Sequence, residues 1–215
     1  MKKPMQTFSL ILLTLMLSAC SSAYYSAMEK VGIHKRDIMI DRVEEAKDSQ
    51  ENAQEQFSSA LEQLSALIAF DGGDLESQYA ATKDQYEASK EAAEEVTTRI
   101  EAIESVSNAL FDEWTEEIEQ YSSATLKRQS LLKYKETQRR YNKLISAMHK
   151  AESKMAPVLT ALKDNTLYLK HNLNAQAVGA LEGEYTVIKR NVEVLIKEMN
   201  QAISQSQQFI DLLKP

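Results

Sequence analysis

The sequence predicts an all-α fold in which long antiparallel helices form a four-helix bundle or coiled-coil rod. Its 215 residues include only five glycines and three prolines, which leaves little room for turns. Apolar residues recur at spacings of three and four almost throughout, which is the period of helices that supercoil around one another. No stretch alternates apolar and polar residues for long enough to indicate a strand.

The first element is a leader that precedes the helical body. Lys2 and Lys3 come before an apolar run of about ten residues, 8–17, whereas about 20 are needed to cross a bilayer. A basic start, a short apolar core and small residues at the exit are typical of a secretory signal peptide, which we place at residues 1–19. The end of this run resembles the lipobox of bacterial lipoproteins at all four positions: Leu17, Ser18, Ala19 and Cys20.

That resemblance implies lipidation of Cys20, the only cysteine of the chain. In such lipoproteins the cysteine sulfur receives a diacylglycerol, the leader is removed, and the new amino group is acylated. Several acyl chains together make membrane attachment close to permanent, although one chain alone anchors weakly. Aspartate after the cysteine is the usual signal for the inner membrane, and Ser21 stands there instead. The implied location is the periplasmic face of the outer membrane; the alternative is a free thiol after ordinary secretory cleavage.

The segment after Cys20 combines aromatic and basic residues: Tyr24, Tyr25, Lys35 and Arg36. Aromatic rings suit the headgroup level of a membrane, and Lys and Arg suit anionic headgroups. The segment could therefore lie on the membrane surface. It could equally be a lipidated linker, 20–32, followed by the first turns of a single helical coiled-coil domain at 33–215.

Four helices are expected at about 33–70, 75–121, 125–172 and 176–213. Between the first two, Gly72 and Gly73 permit positive φ, and Asp74 can cap the next helix. Ser122 and Ser123 provide capping hydroxyls at the second break, and asparagines mark the third. Short connections make sequential helices antiparallel neighbours. Pro157 lies inside the third helix, where the missing N–H predicts a kink.

Each helix has one predicted buried seam. In the first helix it runs through Val43, Ala46, Gln50, Ala53, Phe57, Ala60, Leu64 and Leu67. In the third it runs through Leu131, Tyr134, Gln138, Tyr141, Ile145, Met148, Glu152, Met155, Leu159, Leu162, Thr166, Leu169 and Leu173. Glu152 is a poor core residue, so we expect the seam to rotate there and Ala151 to take its place. The tyrosines at heptad spacing are expected in the core, with a ligand groove as the alternative.

Charge is unevenly distributed along a chain whose net charge is −7. Removal of the leader makes the net charge −9, because Lys2 and Lys3 leave and no acid leaves with them. An acidic body argues against nucleic acid as a partner. Residues 101–119 hold seven acids and no base, and a basic stretch follows the turn, including Lys127, Arg128, Lys135, Arg139, Arg140 and Lys143. This basic stretch either pairs with the acidic one across a hairpin or forms a docking patch for an anionic partner.

We expect no catalytic residues, no cofactor and no metal site. The three histidines, His34, His149 and His171, do not form the Glu-x-x-His pairs of di-iron bundles. No nucleophile elbow, phosphate loop or zinc pattern is present either.

Several segments together resemble a known family of short bacterial lipoproteins that is catalogued only as a domain of unknown function. These segments are Tyr24–Tyr25, 35–38, 41–46, 70–74, 109–114 and 169–174. The resemblance covers essentially the whole chain after the leader. It implies a lipoprotein leader, a helical body and no assigned activity.

The functional expectation is a lipid-anchored periplasmic scaffold or adaptor, held at the membrane through Cys20 and bound to an envelope protein. As a rod it would project tens of ångströms from the membrane, with exposed apolar residues at its ends as docking candidates. Two alternatives remain open. One is a lipid or protein carrier with a groove between helices, and the other is a structural lipoprotein that assembles with itself.

Overall fold

The computed structural model describes residues 24–25, 27–69, 74–172 and 175–214. Four long helices form the body: α1 (Lys35–Ile68), α2 (Leu75–Gln120), α3 (Ala124–His171) and α4 (Ala175–Leu213). The observed bounds lie within two residues of the predicted ones. No strand occurs in these described ranges, so the predicted all-α fold is confirmed.

The four helices form a closed, antiparallel bundle. Each helix packs against the next one in sequence, and α4 packs back against α1. Contacts between α1 and α2 show their opposite directions: Gln63 Nε2 donates to Gln78 Oε1 at 3.2 Å near the connection, and Arg99 reaches back to Glu45 at 2.8 Å farther away. The predicted bundle is confirmed, and every helix buries one stripe against two neighbours.

The seam predicted for α1 is buried at all eight positions, from Val43 to Leu67. In α3 the predicted seam is correct in part. Five of its members are buried as expected: Met148, Met155, Leu162, Thr166 and Leu169. At four other places the buried residue lies one position before the predicted one, at Thr137, Leu144, Ala151 and Val158, and Asn165 is buried beside Thr166. The rotation keeps Glu152 out of the core and brings in Leu144 and Val158, which are apolar; Ala151 replaces Glu152 as expected.

Aromatic side chains fill the bundle near the turn between α2 and α3. The ring of Phe111 packs edge-on against Tyr134 and Tyr141, with centroids 5.6 and 5.5 Å apart. Trp114 packs against Tyr134 and donates its indole N–H to Ser130 Oγ at 2.9 Å. These tyrosines are in or beside the core, as their heptad spacing predicted, because a ring can be packed while its hydroxyl reaches the surface.

The helix ends follow local sequence signals. The Asp74 carboxylate accepts the backbone N–H groups of Glu76 and Ser77 at 3.1 and 3.3 Å, which confirms the predicted cap. Ser123 Oγ accepts the N–H of Leu126 at 3.4 Å. Helix α3 continues through Pro157, which lies on its exposed side. The Gly72–Gly73 turn lies outside the described residues.

The structure describes part of the segment before α1, for which we predicted a linker at residues 20–32. Residues 24–25 and 27–30 are helical, and the chain then reverses direction at Gly32. Gly32 N–H bonds to the Glu29 carbonyl at 3.0 Å, and Ile33 N–H bonds to the Met28 carbonyl at 3.0 Å. With Gly32 at φ 84°, this is a Schellman motif, and it folds the segment back along the bundle. The prediction missed the reversal because a single glycine carries the signal.

Two glycine-to-alanine substitutions should change stability in opposite directions. Gly32→Ala is expected to destabilise the segment by about 1–2 kcal/mol, because a Cβ disfavours positive φ. Gly179→Ala should stabilise α4 by up to about 1 kcal/mol, because alanine is the better helix former. Neither new Cβ would have a heavy atom within 4 Å, so backbone conformation decides both signs. Chemical denaturation of each variant gives its free energy of unfolding, and amide hydrogen exchange at residues 27–33 reports on the first segment. A change of the same sign and size in both variants would contradict the prediction.

Helices α2 and α3 extend past the other two at one end of the bundle. We call residues 115–136 the hairpin end. Lys35, the first residue of α1, bonds to Glu113, and Leu213, the last residue of α4, lies by Thr137. From 121 to 136 no residue is buried. The hairpin end therefore projects beyond the four-helix core as a two-helix extension.

Candidate functional site

Opposite charges are gathered on different helices of the bundle. Helix α3 contains eleven Lys and Arg against three Asp and Glu. Helix α2 contains three Lys and Arg against thirteen Asp and Glu, and α1 contains four against eight. The basic helix therefore stands out on a protein that is acidic as a whole, and it is the first place to look for a binding surface.

The basic residues of α3 line a shallow, open depression that continues onto α4, with a volume of about 1280 Å³. Its charged members are five bases, Lys135, Arg139, Lys143, Lys150 and Lys197, and one acid, Glu193. We call this surface the basic face. Amide and hydroxyl groups fill the space between the charges, from Gln138, Asn142, Ser146, Asn200, Gln201, Ser204, Gln205 and Gln208.

Most of the positive charge on the basic face is not neutralised by the described residues. Lys150 is paired with Glu198 across the α3–α4 interface, at 3.0 Å. Among the described residues, no carboxylate comes within 4.0 Å of the charged groups of Lys135, Arg139 or Lys143. These three side chains are exposed, so their charges are accessible to a partner.

The other three predicted docking residues lie elsewhere. Lys127 forms an ion pair with Glu119 across the α2–α3 turn, at 2.7 Å. Arg128 is exposed at the hairpin end. Arg140 is half-buried, and its enclosed Nε has no hydrogen-bond partner among the described residues. The sequence grouped all six by proximity along the chain, whereas the helical turn separates them by direction.

The predicted ion-pair ladder between the acidic stretch of α2 and the basic stretch of α3 does not form along its length. Glu119–Lys127 is the ion pair that joins these stretches within the described residues. Glu101, Asp112 and Glu116 point to solvent instead. Exposed ion pairs contribute little free energy, so they do not determine which face each helix turns toward its neighbours. The packing of the core determines it.

The predicted membrane-proximal residues divide into an exposed and a buried pair. Tyr24 and Arg36 are exposed. Tyr25 is only 7% exposed, and its hydroxyl lies 3.0 Å from Ser105 Oγ on α2. Lys35 is buried between the carboxylates of Glu29 and Glu113. Tyr25 and Lys35 therefore dock the first segment onto the bundle and are not available for lipid.

Lys35, Glu29 and Glu113 lie together, and each affects the protonation of the others. Burial opposes the charge on Lys35, but its hydrogen bonds to Glu113 and Glu29 outweigh this effect and raise its pKa. The hydrogen bond to Lys35 lowers the pKa of Glu29, whereas burial raises the pKa of Glu113. The contacts of Lys35 with Glu29 and Glu113 tie the first segment, α1 and α2 together.

The lipobox residues of the sequence prediction, Leu17, Ser18, Ala19 and Cys20, lie outside the described residues. In the described ranges, no group of three or more His, Cys, Asp or Glu side chains is placed to hold a metal ion. Nor does any helix of this part have both the length and the apolar character needed to cross a bilayer.

The sequence model of a family described as "Protein of unknown function (DUF2959)" matches residues 24–213. The chain belongs to the DUF2959 family. The match confirms the predicted resemblance to a family of unknown function. It begins at Tyr24, so it spans both the folded-back segment and all four helices of this DUF2959 protein. No curated protein matches the sequence.

Helix α4 of the DUF2959 chain also contributes to the basic face, and the sequence did not predict this contribution. Lys197 and the row of amides from Asn200 to Gln208 lie beside the α3 bases. A helical projection of α4 would have placed them together, opposite the buried Leu195 and Met199. No sequence pattern by itself shows that this polar stripe lies next to Lys135 and Arg139, because the pairing of α3 and α4 is tertiary.

His149 joins α2 and α3 through two glutamates of the DUF2959 chain. Its Nδ1 lies 2.9 Å from Glu152, and its Nε2 lies 2.9 Å from Glu104 on α2. Glu152 also accepts a hydrogen bond from Thr97 Oγ1 at 2.7 Å. The hydrogen bonds to Glu152 and then Glu104 raise the pKa of His149 above its ordinary value.

This linkage predicts a weak loss of stability as pH rises. The contribution of protonated His149 is fully present below the pKa of an unfolded histidine, about 6.5, and is lost as pH rises through the raised pKa of the folded state. Because the side chain is about half exposed, the effect should be below about 1 kcal/mol. Urea unfolding across this pH range should show the decline in the native protein and not in His149→Gln. His171→Gln, at an exposed histidine, is the control and should show the same decline as the native protein. If the decline persists in His149→Gln, another group causes it and the assignment to His149 is wrong.

Proposed function

We propose that this protein is a non-catalytic, lipid-anchored scaffold or adaptor at the periplasmic face of the outer membrane, and that its basic face binds an acidic protein of the cell envelope. The observation that carries the proposal is the positive charge of Lys135, Arg139 and Lys143, which no carboxylate of the described residues pairs with, on an otherwise acidic protein. The lipobox resemblance at residues 17–20 supports attachment, and Ser21 supports the outer membrane.

The shape of the basic face favours a macromolecule over a small ligand. The surface is shallow and open, whereas small-molecule sites are usually concave and largely apolar. Its positive charge would steer an acidic partner and raise the rate of encounter. Exposed lysines and arginines separated by amides can form many individually weak, directional contacts, which suits reversible docking.

Photo-crosslinking in cells tests the docking surface. A photo-reactive residue would replace Gln138, Asn142 or Gln201, which lie among the charged groups and leave them intact. Matched probes at Glu87 and Glu91 would report on the exposed acidic side of α2. We expect one acidic envelope protein to be captured at the basic-face positions and not on α2.

Charge reversal gives the quantitative prediction. Lys135→Glu/Arg139→Glu/Lys143→Glu should reduce capture of that partner at least about tenfold, because three attractive contacts become repulsive. The control is Lys154→Glu/Lys163→Glu/Lys170→Glu, which changes the charge of the same helix by the same amount away from the basic face. Equal loss in both triple variants would show that total charge matters and would overturn the specific site.

Self-association is a second candidate, favoured by the charge separation between helices. The acidic exterior of α1 and α2 could bind the basic face of a neighbouring copy, and anchoring on one membrane would raise their local concentration. The same crosslinking experiment separates the candidates. Adducts that join the basic face of one copy to α2 of another would replace the adaptor proposal with an assembling structural lipoprotein.

A further inference from the structure

The N-terminal segment joins the bundle along its side and not at one of its ends. The reversal at Gly32 places Tyr25 beside Ser105 of α2 instead of at the end of the rod. Ser105 lies 15 residues before Gln120, the end of α2, and 30 residues after its start at Leu75. At 1.5 Å per residue, Tyr25 therefore contacts α2 at a point about 22 Å from the Gln120 end of that helix and about 45 Å from its Leu75 end.

The connection from this point to Cys20 is short. Tyr25 is the fifth residue after Cys20, and a fully extended chain of five residues spans at most about 18 Å. In an upright bundle the opposite end therefore cannot rest on the membrane that holds the lipid, because the connection is too short by about 27 Å. For an upright bundle with its hairpin end down, the shortfall is only about 4 Å, which is less than the depth of about 5–10 Å that interfacial helices reach.

The hairpin end and the neighbouring turn expose apolar side chains. Val31 is 71% exposed, Leu132 63% and Leu126 51%, and Ile33, Tyr121 and Leu131 are exposed as well. Leucine and tyrosine side chains of this kind gain free energy by entering the boundary between headgroups and acyl chains. Among the described residues, six of the eleven exposed large apolar side chains are therefore at the hairpin end and its neighbouring turn, whereas Leu167, Tyr168 and Val187 lie toward the opposite end.

Charges at this end suit the headgroup region on the α3 side. Arg128 and Lys135 flank Leu131 and Leu132 along the exposed surface of α3, at helical spacings of three and four. Lys30 and Arg36 border the turn at 31–33. The end of α2 adds Glu116, Glu117 and Glu119, of which Glu119 is paired with Lys127. Attraction to anionic headgroups therefore comes from the outer side of α3 and from the turn.

We propose that the hairpin end and the turn at residues 31–33 insert into the surface of the membrane that holds Cys20. The bundle then lies tilted or stands with the opposite end away from the membrane, and the basic face begins within about 20 Å of the lipid surface. This inference rests on the lipid anchor of the proposed function, and it adds a second, non-covalent attachment that sets the orientation of the scaffold.

Fluorescence quenching on vesicles tests the orientation. Full-length acylated protein would be reconstituted into vesicles of phosphatidylethanolamine and phosphatidylglycerol that contain nitroxide-labelled lipid. Acylation blocks the sulfur of Cys20, so a cysteine introduced as Leu132→Cys is the only free thiol for an environment-sensitive dye. The matched control is Val187→Cys, an apolar residue of similar exposure farther from the hairpin end. We expect several-fold stronger quenching at position 132.

Each outcome has one meaning. Strong quenching at position 132 with weak quenching at 187 supports the proposed orientation, and Leu126→Ser/Leu131→Ser should then reduce it while circular dichroism remains unchanged. Weak quenching at both positions, or stronger quenching at 187, overturns the orientation and leaves the lipid anchor in place. Absence of the acyl mass on Cys20 would instead overturn the anchor in the proposed function, and the orientation with it.

Discussion

Phe57→Ala will lower the free energy of unfolding by about 3–5 kcal/mol, a large part of the stability of a domain of this size. Phe57 lies in the middle of α1 and is fully buried within the contiguous core. Truncation removes the transfer free energy of the ring and leaves a cavity, since the surrounding helices can relax only partly. Thermal unfolding followed by circular dichroism should show a decrease in Tm of about 10 °C or more.

Leu132→Ala is the control for this substitution. It also truncates a large apolar side chain, but Leu132 is mostly exposed at the hairpin end. Its effect should stay within about 0.5 kcal/mol. A small effect of Phe57→Ala would show that the middle of the bundle is loosely packed, contrary to the contiguous core described above.

Gln50→Met is expected to raise the free energy of unfolding by about 1–2 kcal/mol. Gln50 is fully buried at a heptad position of α1, and neither its amide nitrogen nor its amide oxygen has a hydrogen-bond partner among the described residues. Burial of an unpaired amide costs free energy, and methionine fills a similar volume without that cost. Chemical denaturation should show a higher midpoint with an unchanged m-value.

The matched control is Gln54→Met, one helical turn later at a half-buried position of α1. It should change stability little, because the amide there already reaches water. A loss of stability in Gln50→Met would mean that an enclosed water or a rearranged neighbour satisfies the amide. A polar residue in a core can also specify the register of helices, so the oligomeric state of Gln50→Met should be compared with that of the native protein.

The sequence predicted helix positions well because the signals that determine them are local. The heptad pattern from Val43 to Leu67 is regular, and few glycines or prolines interrupt it. Asp74 satisfies the first backbone N–H groups of α2 with its own side chain, which is a contact between neighbours in sequence. The α3 seam was less well predicted, because Tyr141 and Leu144 both offer apolar surface and the neighbouring helices decide which of them is central.

The candidate sites were predicted only in part, for the same reason. Lys135, Arg139 and Lys143 were identified by composition, but their grouping with Lys197 depends on how α3 packs against α4. Tyr25 and Lys35 were predicted to be near a membrane because aromatic and basic residues suit headgroups. They are buried because Ser105, Glu29 and Glu113 provide better partners within the folded chain.

The sequence by itself determined that this protein is a bundle of four long helices, because heptad periodicity and helix caps act within a few residues. Only the tertiary structure decided which surfaces the bundle presents and where its first described segment docks. One glycine with positive φ turns the first segment back onto α2, and helix rotation, set by core packing, sends opposite charges to different sides. Both effects depend on contacts between residues far apart in the chain, which sequence periodicity does not record.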